Sequence, residues 1–483
     1  MRSCLSPVFL MIILFLLISS KPEKEYYNEL YRPQFHFTPE KDWLGSPSGL
    51  VFYDGEYQLF YQHNPKGKER GVMHWGHAVS KNLVQWEPLP VAIYPDEGTE
   101  DEKGCAAFSG SAIVDKNNTL GLQEGSDKTL VAFYTSYKCG QRIAYSTDKG
   151  RTWEKYRGNP VIPYNPADDA RDPKVFWYEP AKKWVMVLSR KPDGDEVKKG
   201  VSIYNSENLA DWELKSHLPG LYEYPDLVEL PVNNRVNESK WVLFGGDGSY
   251  LIGNFDGESF IPETGRIRSD YGKNYYATQT WNNIPKKDGR TIQIAWMKGA
   301  EFTDMPFNGQ LTFPCEISLR RFGEGVRLFR QPVKEIELLH GKHYEWTDKN
   351  IIPGINQNIV KKVKGDCLHI IGTFNIKTSD NFGLVLRHGK KVLGTEIIYN
   401  VKMGVLSCLG TKILAKPVDG RIELEILLDR ASIEIFVNGG SAVITNSFLP
   451  VEGNKGLVLF TNGGELLVEQ LDIYEMKSAW RAE

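Results

Sequence analysis

The sequence predicts an all-β chain, a five-bladed β-propeller followed by a C-terminal β-sandwich. Short runs rich in Val, Ile, Tyr, Phe and Trp alternate with clusters of Gly, Asp, Asn and Pro, and long helical periodicity is scarce. A degenerate repeat joins a strand, a polar turn and a tryptophan, at Trp75–Trp86, Ile143–Trp153 and Val201–Trp212, with a fourth echo at Tyr250–Phe260. Its spacing of roughly 60–70 residues suits one four-stranded blade per repeat, and residues 35 to 330 leave room for five. Beyond that region the repeat stops and alternating strands resume, as at Leu368–Phe374, Phe382–Leu386 and Ile422–Leu428, the pattern of a sandwich.

Each segment in order supports this division. Met1–Ser20 reads as a secretory signal: Arg2, an apolar run from Val8 to Ile18, then Ser19-Ser20. That run is too short to span a bilayer, and no later segment is long, apolar and uncharged, so the mature protein is expected to be extracellular and free of the membrane. The propeller is assigned to residues 30–330. Tyr53-Asp-Gly-Glu56 marks a tight hairpin within its first blade. Residues 331–344 are assigned to a linker, in which the segment Arg330–Leu339 is suited to a short amphipathic helix. Residues 345–483 form the sandwich. A chain of 483 residues exceeds one small core, so two domains are the default.

A net charge of −3 provides no basic footprint for nucleic acid. The sequons at Asn117 and Asn237 fit an extracellular compartment. Cys4 would leave with the signal, and the remaining Cys105, Cys139, Cys315, Cys367 and Cys408 are odd in number, so at least one stays free or pairs between molecules. Their spacing matches no zinc site. His74 and His77 read as hydrogen-bonding residues with no third ligand near, and no metal or cofactor is expected.

Eight ordered motifs carry a family resemblance. They include Trp43-Leu-Gly-Ser-Pro-Ser-Gly49, Phe60-Tyr-Gln-His-Asn-Pro65, Met73-His-Trp-Gly-His77, Phe108-Ser-Gly-Ser-Ala112, Arg171-Asp-Pro173, Tyr222-Glu-Tyr-Pro-Asp226, Asp270–Ala277 and Gly309–Leu319. Together these resemble glycoside hydrolase family 32, the invertase-like enzymes that split β-fructosides such as sucrose. The resemblance implies a propeller with a sandwich behind it and a small carbohydrate as partner. It makes Glu223 the general acid/base and Asp172 the residue that binds fructose hydroxyls and stabilises the transition state. Arg171 organises the pocket, Gln62, Phe108 and Ser109 contact substrate, and Trp75 supplies an aromatic wall. Retaining hydrolysis needs two carboxyl groups about 5–5.5 Å apart across the anomeric carbon, one attacking and one protonating the leaving oxygen.

One departure dominates. The family's first motif reads Trp-Met-Asn-Asp-Pro-Asn-Gly, and its aspartate is the nucleophile. Ser46 stands at that position, and Gly45 and Ser48 replace the two asparagines. A serine hydroxyl is neutral at physiological pH and does not attack without an adjacent base. Tyr224 replaces a cysteine beside Glu223, Cys315 replaces an arginine, and Asn274 an aspartate. The expectation is a secreted fructoside-recognising protein with hydrolysis impaired or lost. The alternatives are a working hydrolase that recruits water beside Ser46 with Glu223 as acid, and a propeller used for protein interaction.

Overall fold

A computed structural model describes residues 26–96, 104–192, 198–323, 325–354, 358–389 and 394–480. The 1–20 leader expected from the sequence lies outside them. The fold is nearly all-β. Five four-stranded antiparallel units follow one another, beginning with Asp42–Tyr53, Ala107–Asp115, Arg171–Tyr178, Asp226–Val232 and Tyr276–Thr280. These first strands pack against one another around the propeller axis, and each blade runs outward from its own.

The hairpin at Tyr53–Glu56 forms as expected. Asp54 and Gly55 both adopt positive φ, 49° and 85°, the geometry that a two-residue hairpin turn requires. The tryptophan repeat falls at the corner after the third strand in blades one to three. Ser80, Ser146 and Ser206 end those strands and accept backbone N–H groups from the turn that follows. Three residues before each tryptophan stands Leu83, Gly150 or Leu209, all with positive φ. The indoles of Trp86, Trp153 and Trp212 donate to the carbonyls of those residues at 3.0, 3.0 and 2.8 Å. The repeat is therefore a corner device: a serine caps the turn from one side and an indole from the other.

Strands at the axis have little backbone pairing on their inner edge, so side chains satisfy several of their backbone groups. Gln279 donates to the Gly110 carbonyl, and Asn282 donates to those of Ala112 and Val175. Lys174, fully buried, pairs with Asp226 at 3.2 Å and donates to the Thr280 carbonyl at 2.8 Å. Ring closure comes from Phe307–Asn308, which adds a parallel bridge to Asp42–Trp43 at the start of blade one.

Two sheets form the sandwich. One has six strands and includes His340–Ile351, Leu368–Asn375 and Arg421–Asp429; the other has five, including Asn381–His388 and Thr395–Asn400. Between them Ile370, Phe374, Phe382, Leu384, Tyr399 and Ile426 form the core.

Two boundaries differ from the sequence reading. The expected linker helix over Arg330–Leu339 is a strand, Gly325–Pro332, then a short 3₁₀ helix, Lys334–Leu339. Pro332 explains this, because it holds its predecessor extended and so blocks a helix across it. The sandwich's first strand starts at His340, within the segment assigned to the linker. It is mostly exposed, so it lacks the apolar alternation that marks a half-buried strand.

Candidate functional site

The residues singled out by the motifs meet at one end of the propeller axis, because each lies near the start of an innermost strand. Ser46 comes from blade one, Phe108 and Ser109 from blade two, and Arg171 and Asp172 from blade three. Glu223 and Tyr224 precede the first strand of blade four, and Tyr276 opens that of blade five. At the centre are three hydroxyls. Ser46 Oγ lies 2.8 Å from the Tyr224 hydroxyl and 3.2 Å from Ser109 Oγ, and Ser109 Oγ lies 3.1 Å from the same phenol. Gln62 Nε2 donates to Ser109 Oγ at 2.8 Å. Neither neighbour of Ser46 is a base, and Ser46 is 1% exposed.

On the other side, Arg171 Nη1 reaches Glu223 Oε1 at 3.3 Å, and the Tyr276 hydroxyl donates to Glu223 Oε2. The backbone N–H of Tyr224 donates to Asp172 Oδ2 at 3.1 Å. Asp169 pairs with Arg171, accepts from Tyr222 at 2.6 Å and pairs with Lys199 at 3.2 Å. Glu223 is therefore held from two sides, and Asp172 is tied to the peptide that carries Tyr224.

Backbone strain concentrates here. Asp169, Asp172, Glu223, Tyr224 and Ala277 all have positive φ, between 44° and 60°. Each such non-glycine residue costs on the order of 1–3 kcal/mol and persists only where its surroundings impose it. They do so here: Asp172 N donates to Thr135 Oγ1, Glu223 N to Ser189 Oγ, and Ala277 N to the Gly246 carbonyl.

Burial, followed by the nearby Glu223 charge, pushes the Asp172 carboxyl up to about 7, against the opposing pull of Arg171. The Tyr224 phenol is raised well above its ordinary range by burial and then by the Asp172 charge. A phenol this hard to ionise, with two hydroxyls as partners, is no replacement for an attacking carboxylate. Burial and the bond to Glu223 likewise raise Tyr276, which keeps its proton. Burial opposes the charge of Arg171, but the surrounding Asp172, Tyr222 and Asp169 outweigh it and keep the guanidinium protonated.

Trp75, the residue expected to supply an aromatic wall, lies against the strand that carries Phe108. It is fully buried, packs near Phe60 and Tyr134, and donates from Nε1 to the Phe108 carbonyl at 2.8 Å. Its place is behind the strand that carries Phe108, which itself stacks on Tyr137 at 4.9 Å. His77 bonds Gln58 Oε1 at 2.7 Å, and His74 bonds the Val72 carbonyl at 2.9 Å. Asn117 and Asn237 are both exposed.

The first loop is closely packed. A Cβ added at Gly45 would lie 2.4 Å from the Trp43 ring, so an asparagine there requires that indole to move. Ser48 Oγ is buried with no hydrogen-bond partner among the described residues.

Sequence reasoning missed two functions. Tyr276 lies in a motif recognised from the sequence, yet its contact with Glu223 depends on blade five closing beside blade four. Tyr224 was noted as a bulky change next to Glu223, whereas its reach to Ser46 follows from the left-handed turn at Glu223 and Tyr224, which no local pattern reveals.

Known proteins share this fold. Residues 36–332 match the glycosyl hydrolases family 32 N-terminal domain, and residues 335–475 match the family's C-terminal domain. The chain belongs to glycosyl hydrolase family 32. A levanase of Bacillus subtilis (strain 168) is 42% identical, over 99% of this chain and 76% of that protein. An extracellular exo-inulinase of Aspergillus awamori is 30% identical, over 94% of this chain and 96% of its own length. The crystal structure of exo-inulinase from A. awamori superposes with a TM-score of 0.85 at 28% identity, covering 94% of this chain and all of that one. The fructofuranosidase from Schwanniomyces occidentalis complexed with fructose superposes at 0.79 with 26% identity, again over 94% of this chain and all of that one.

Proposed function

We propose that this chain is a secreted protein that recognises β-fructosides of the sucrose type and has lost most or all of the ability to hydrolyse them. The observation that carries this is the group of three hydroxyls. At the position that the motif register gives to the nucleophile, Ser46 Oγ has only Ser109 and Tyr224 as hydrogen-bond partners among the described residues. No covalent fructosyl intermediate forms without an attacking carboxylate or an activated substitute. The groups expected to hold and protonate a sugar remain: Asp172, Arg171, Gln62, Ser109 and Glu223. Side-chain or backbone hydrogen bonds position them, and Asp172 and Glu223 also have left-handed backbone.

Relatives named levanase, exo-inulinase and invertase support fructosides as the ligand class. A water-assisted route would need a base beside the water, and the Tyr224 hydroxyl stands beside Ser46, where that water would have to lie. Export is supported by the leader-like start of the sequence, the exposed sequons and the Cys105–Cys139 disulfide, a bond that oxidising compartments maintain. Cys315, Cys367 and Cys408 are free and buried.

Calorimetric titration with fructose and sucrose tests the reading. The unaltered protein is expected to bind, and Asp172→Asn and Gln62→Ala to weaken binding by ~10-fold or more, as lost hydrogen bonds to a buried ligand do. Absence of any fructoside binding would remove the proposal.

A further inference from the structure

The five-stranded sheet of the sandwich borders a hollow of about 540 Å³, a volume that suits a small-molecule ligand. Arg387 stands in its wall, with Leu409, Lys412, Phe448, Leu449 and Val451 around it. Four basic side chains are buried among the described residues: Arg32, Lys174, Arg330 and Arg387. The first three pair with Glu29, Asp226 and Asp270 at 2.5, 3.2 and 2.5 Å. Arg387, only 7% exposed, pairs with no carboxylate among the described residues. Its bonds go to main-chain carbonyls: Nη2 donates to those of Asp366 and Arg430 at 3.2 and 2.9 Å, and Nε is buried without a partner. The nearby carboxylate of Asp366 pairs with Lys455 instead, at 3.4 Å. Buried charges are costly unless paired, so a counter-charge is missing here. We infer that the hollow is a binding site for a small organic anion, a carboxylate on an apolar body, and that the carboxylate is the partner of Arg387.

The backbone is irregular where Arg387 stands. Asn381–His388 pairs with Gly456–Asn462 in register from Asn381 to Val385 and then slips before His388, and Arg387 has a φ of 53°. Bulges of this kind re-aim a side chain, and a left-handed non-glycine residue persists only where its surroundings impose it. With Nη2 tied to two carbonyls, Nε and Nη1 are left without partners among the described residues. Burial lowers the pKa of the guanidinium, although the charge of Asp366 acts against this. Such a group stays protonated, and its strongest bonds are to carboxylates.

The rest of the wall fits an amphipathic anion. Lys412 is exposed and adds a second positive charge, whereas Glu396, also in the wall, is exposed and makes no bond to Arg387. Leu449 and Val451 are half-exposed at the rim, and the Phe448 ring lies 5.9 Å from Arg387 Cζ. These walls are held in place. Phe448 N donates to the Ala431 carbonyl at 3.0 Å, and Lys273 of the propeller donates to the Leu409 carbonyl at 2.6 Å. A site fixed in advance loses less on ordering its ligand.

Calorimetric titration with phenylacetate, its neutral isostere phenylacetamide and inorganic sulfate tests the site. Phenylacetate is expected to bind roughly tenfold or more tightly than the amide, the scale of a hydrogen bond to a charged group. Arg387→Met should make the two ligands equal. Because Arg387 also ties two carbonyls, a second variant guards against a folding defect: Leu449→Asp, at the half-exposed rim, places a like charge beside the ligand. It should fold and bind phenylacetate about tenfold more weakly. Phenylacetate should raise the melting temperature of the unaltered protein and not that of Leu449→Asp. Equal affinity for phenylacetate and phenylacetamide would overturn the inference, as would sulfate binding as tightly as phenylacetate. Absence of phenylacetate binding at millimolar concentration would also overturn it.

Discussion

At residue scale the chemistry turns on what surrounds position 46. An isolated serine would leave an empty corner. Here Tyr224 reaches that corner and bonds Ser46 and Ser109, so the residues at 46 and 224 form one contact group. Restoring a carboxylate alone should therefore recover little: Ser46→Asp would face a phenol held in place by its own backbone bond to Asp172. Ser46→Asp with Tyr224→Cys should release more reducing sugar from sucrose than the sum of the single variants, since residues in contact couple. Additive effects in that cycle would show the two positions to be independent. Asp172 supports a second prediction. Its carboxyl titrates near 7 when folded and near 3.8 when unfolded, so between those values only the folded state holds the proton. Its contribution to stability thus falls as pH rises from about 4 to about 7. Asp172→Asn should flatten that slope in denaturant midpoints measured across the window; an unchanged slope would mean that Asp172 is ionised throughout. The sequence motifs singled out residues that the fold brings together, Ser46, Gln62 and Ser109 on one side and Arg171 and Glu223 on the other. They did not reveal that Trp75 would be buried behind Phe108, or that Tyr276 would hold Glu223, because both depend on contacts between strands distant in sequence.

At the scale of elements, the blade corner was the most legible feature. A serine, an Asx or glycine turn and a tryptophan recur because one geometry must be made several times, and the same donors and acceptors serve each time. Trp86 shows what this contributes. It is buried, stacks near Trp281 and donates to Leu83. Trp86→Phe should cost about 1 kcal/mol for the lost hydrogen bond. Trp86→Ala should cost about 3–5 kcal/mol through the cavity it leaves. Equal losses for the two, read from urea unfolding, would assign all of its value to the hydrogen bond. The linker and the first sandwich strand were harder to read. There a proline redirects the chain and an edge strand is polar, so neither the period of a helix nor that of a buried strand is written in the residues.

At the scale of the whole molecule, the two domains are joined by a charge cluster invisible in local sequence. His36, at the entry to the propeller, bonds Asp429 at 2.8 Å and Glu434 at 3.0 Å, both from the sandwich and both fully buried. Asp429 also accepts the backbone N–H groups of Gln34, Phe35 and His36, and Glu434 accepts that of Phe313. Burial opposes the imidazolium, but the two carboxylates outweigh it and raise His36 to about 9. This stabilisation is complete below about pH 6.5 and is lost as pH rises through about 9. Melting temperature should fall over that interval. His36→Ala should abolish the fall and cost about 3–5 kcal/mol, because it strands two buried carboxylates. A melting temperature independent of pH there would contradict the clasp.

Whether the whole molecule turns sucrose over separates the proposed loss of hydrolysis from a working enzyme. The direct measurement is the rate of sucrose hydrolysis by the purified, unaltered protein beside a competent family member, with the anomer of the released fructose recorded. The rate is expected to be at least about 10⁴-fold lower, the scale of losing a nucleophile. Turnover near that of the relative, abolished by Glu223→Gln and proceeding with inversion, would contradict it and establish attack by water beside Ser46.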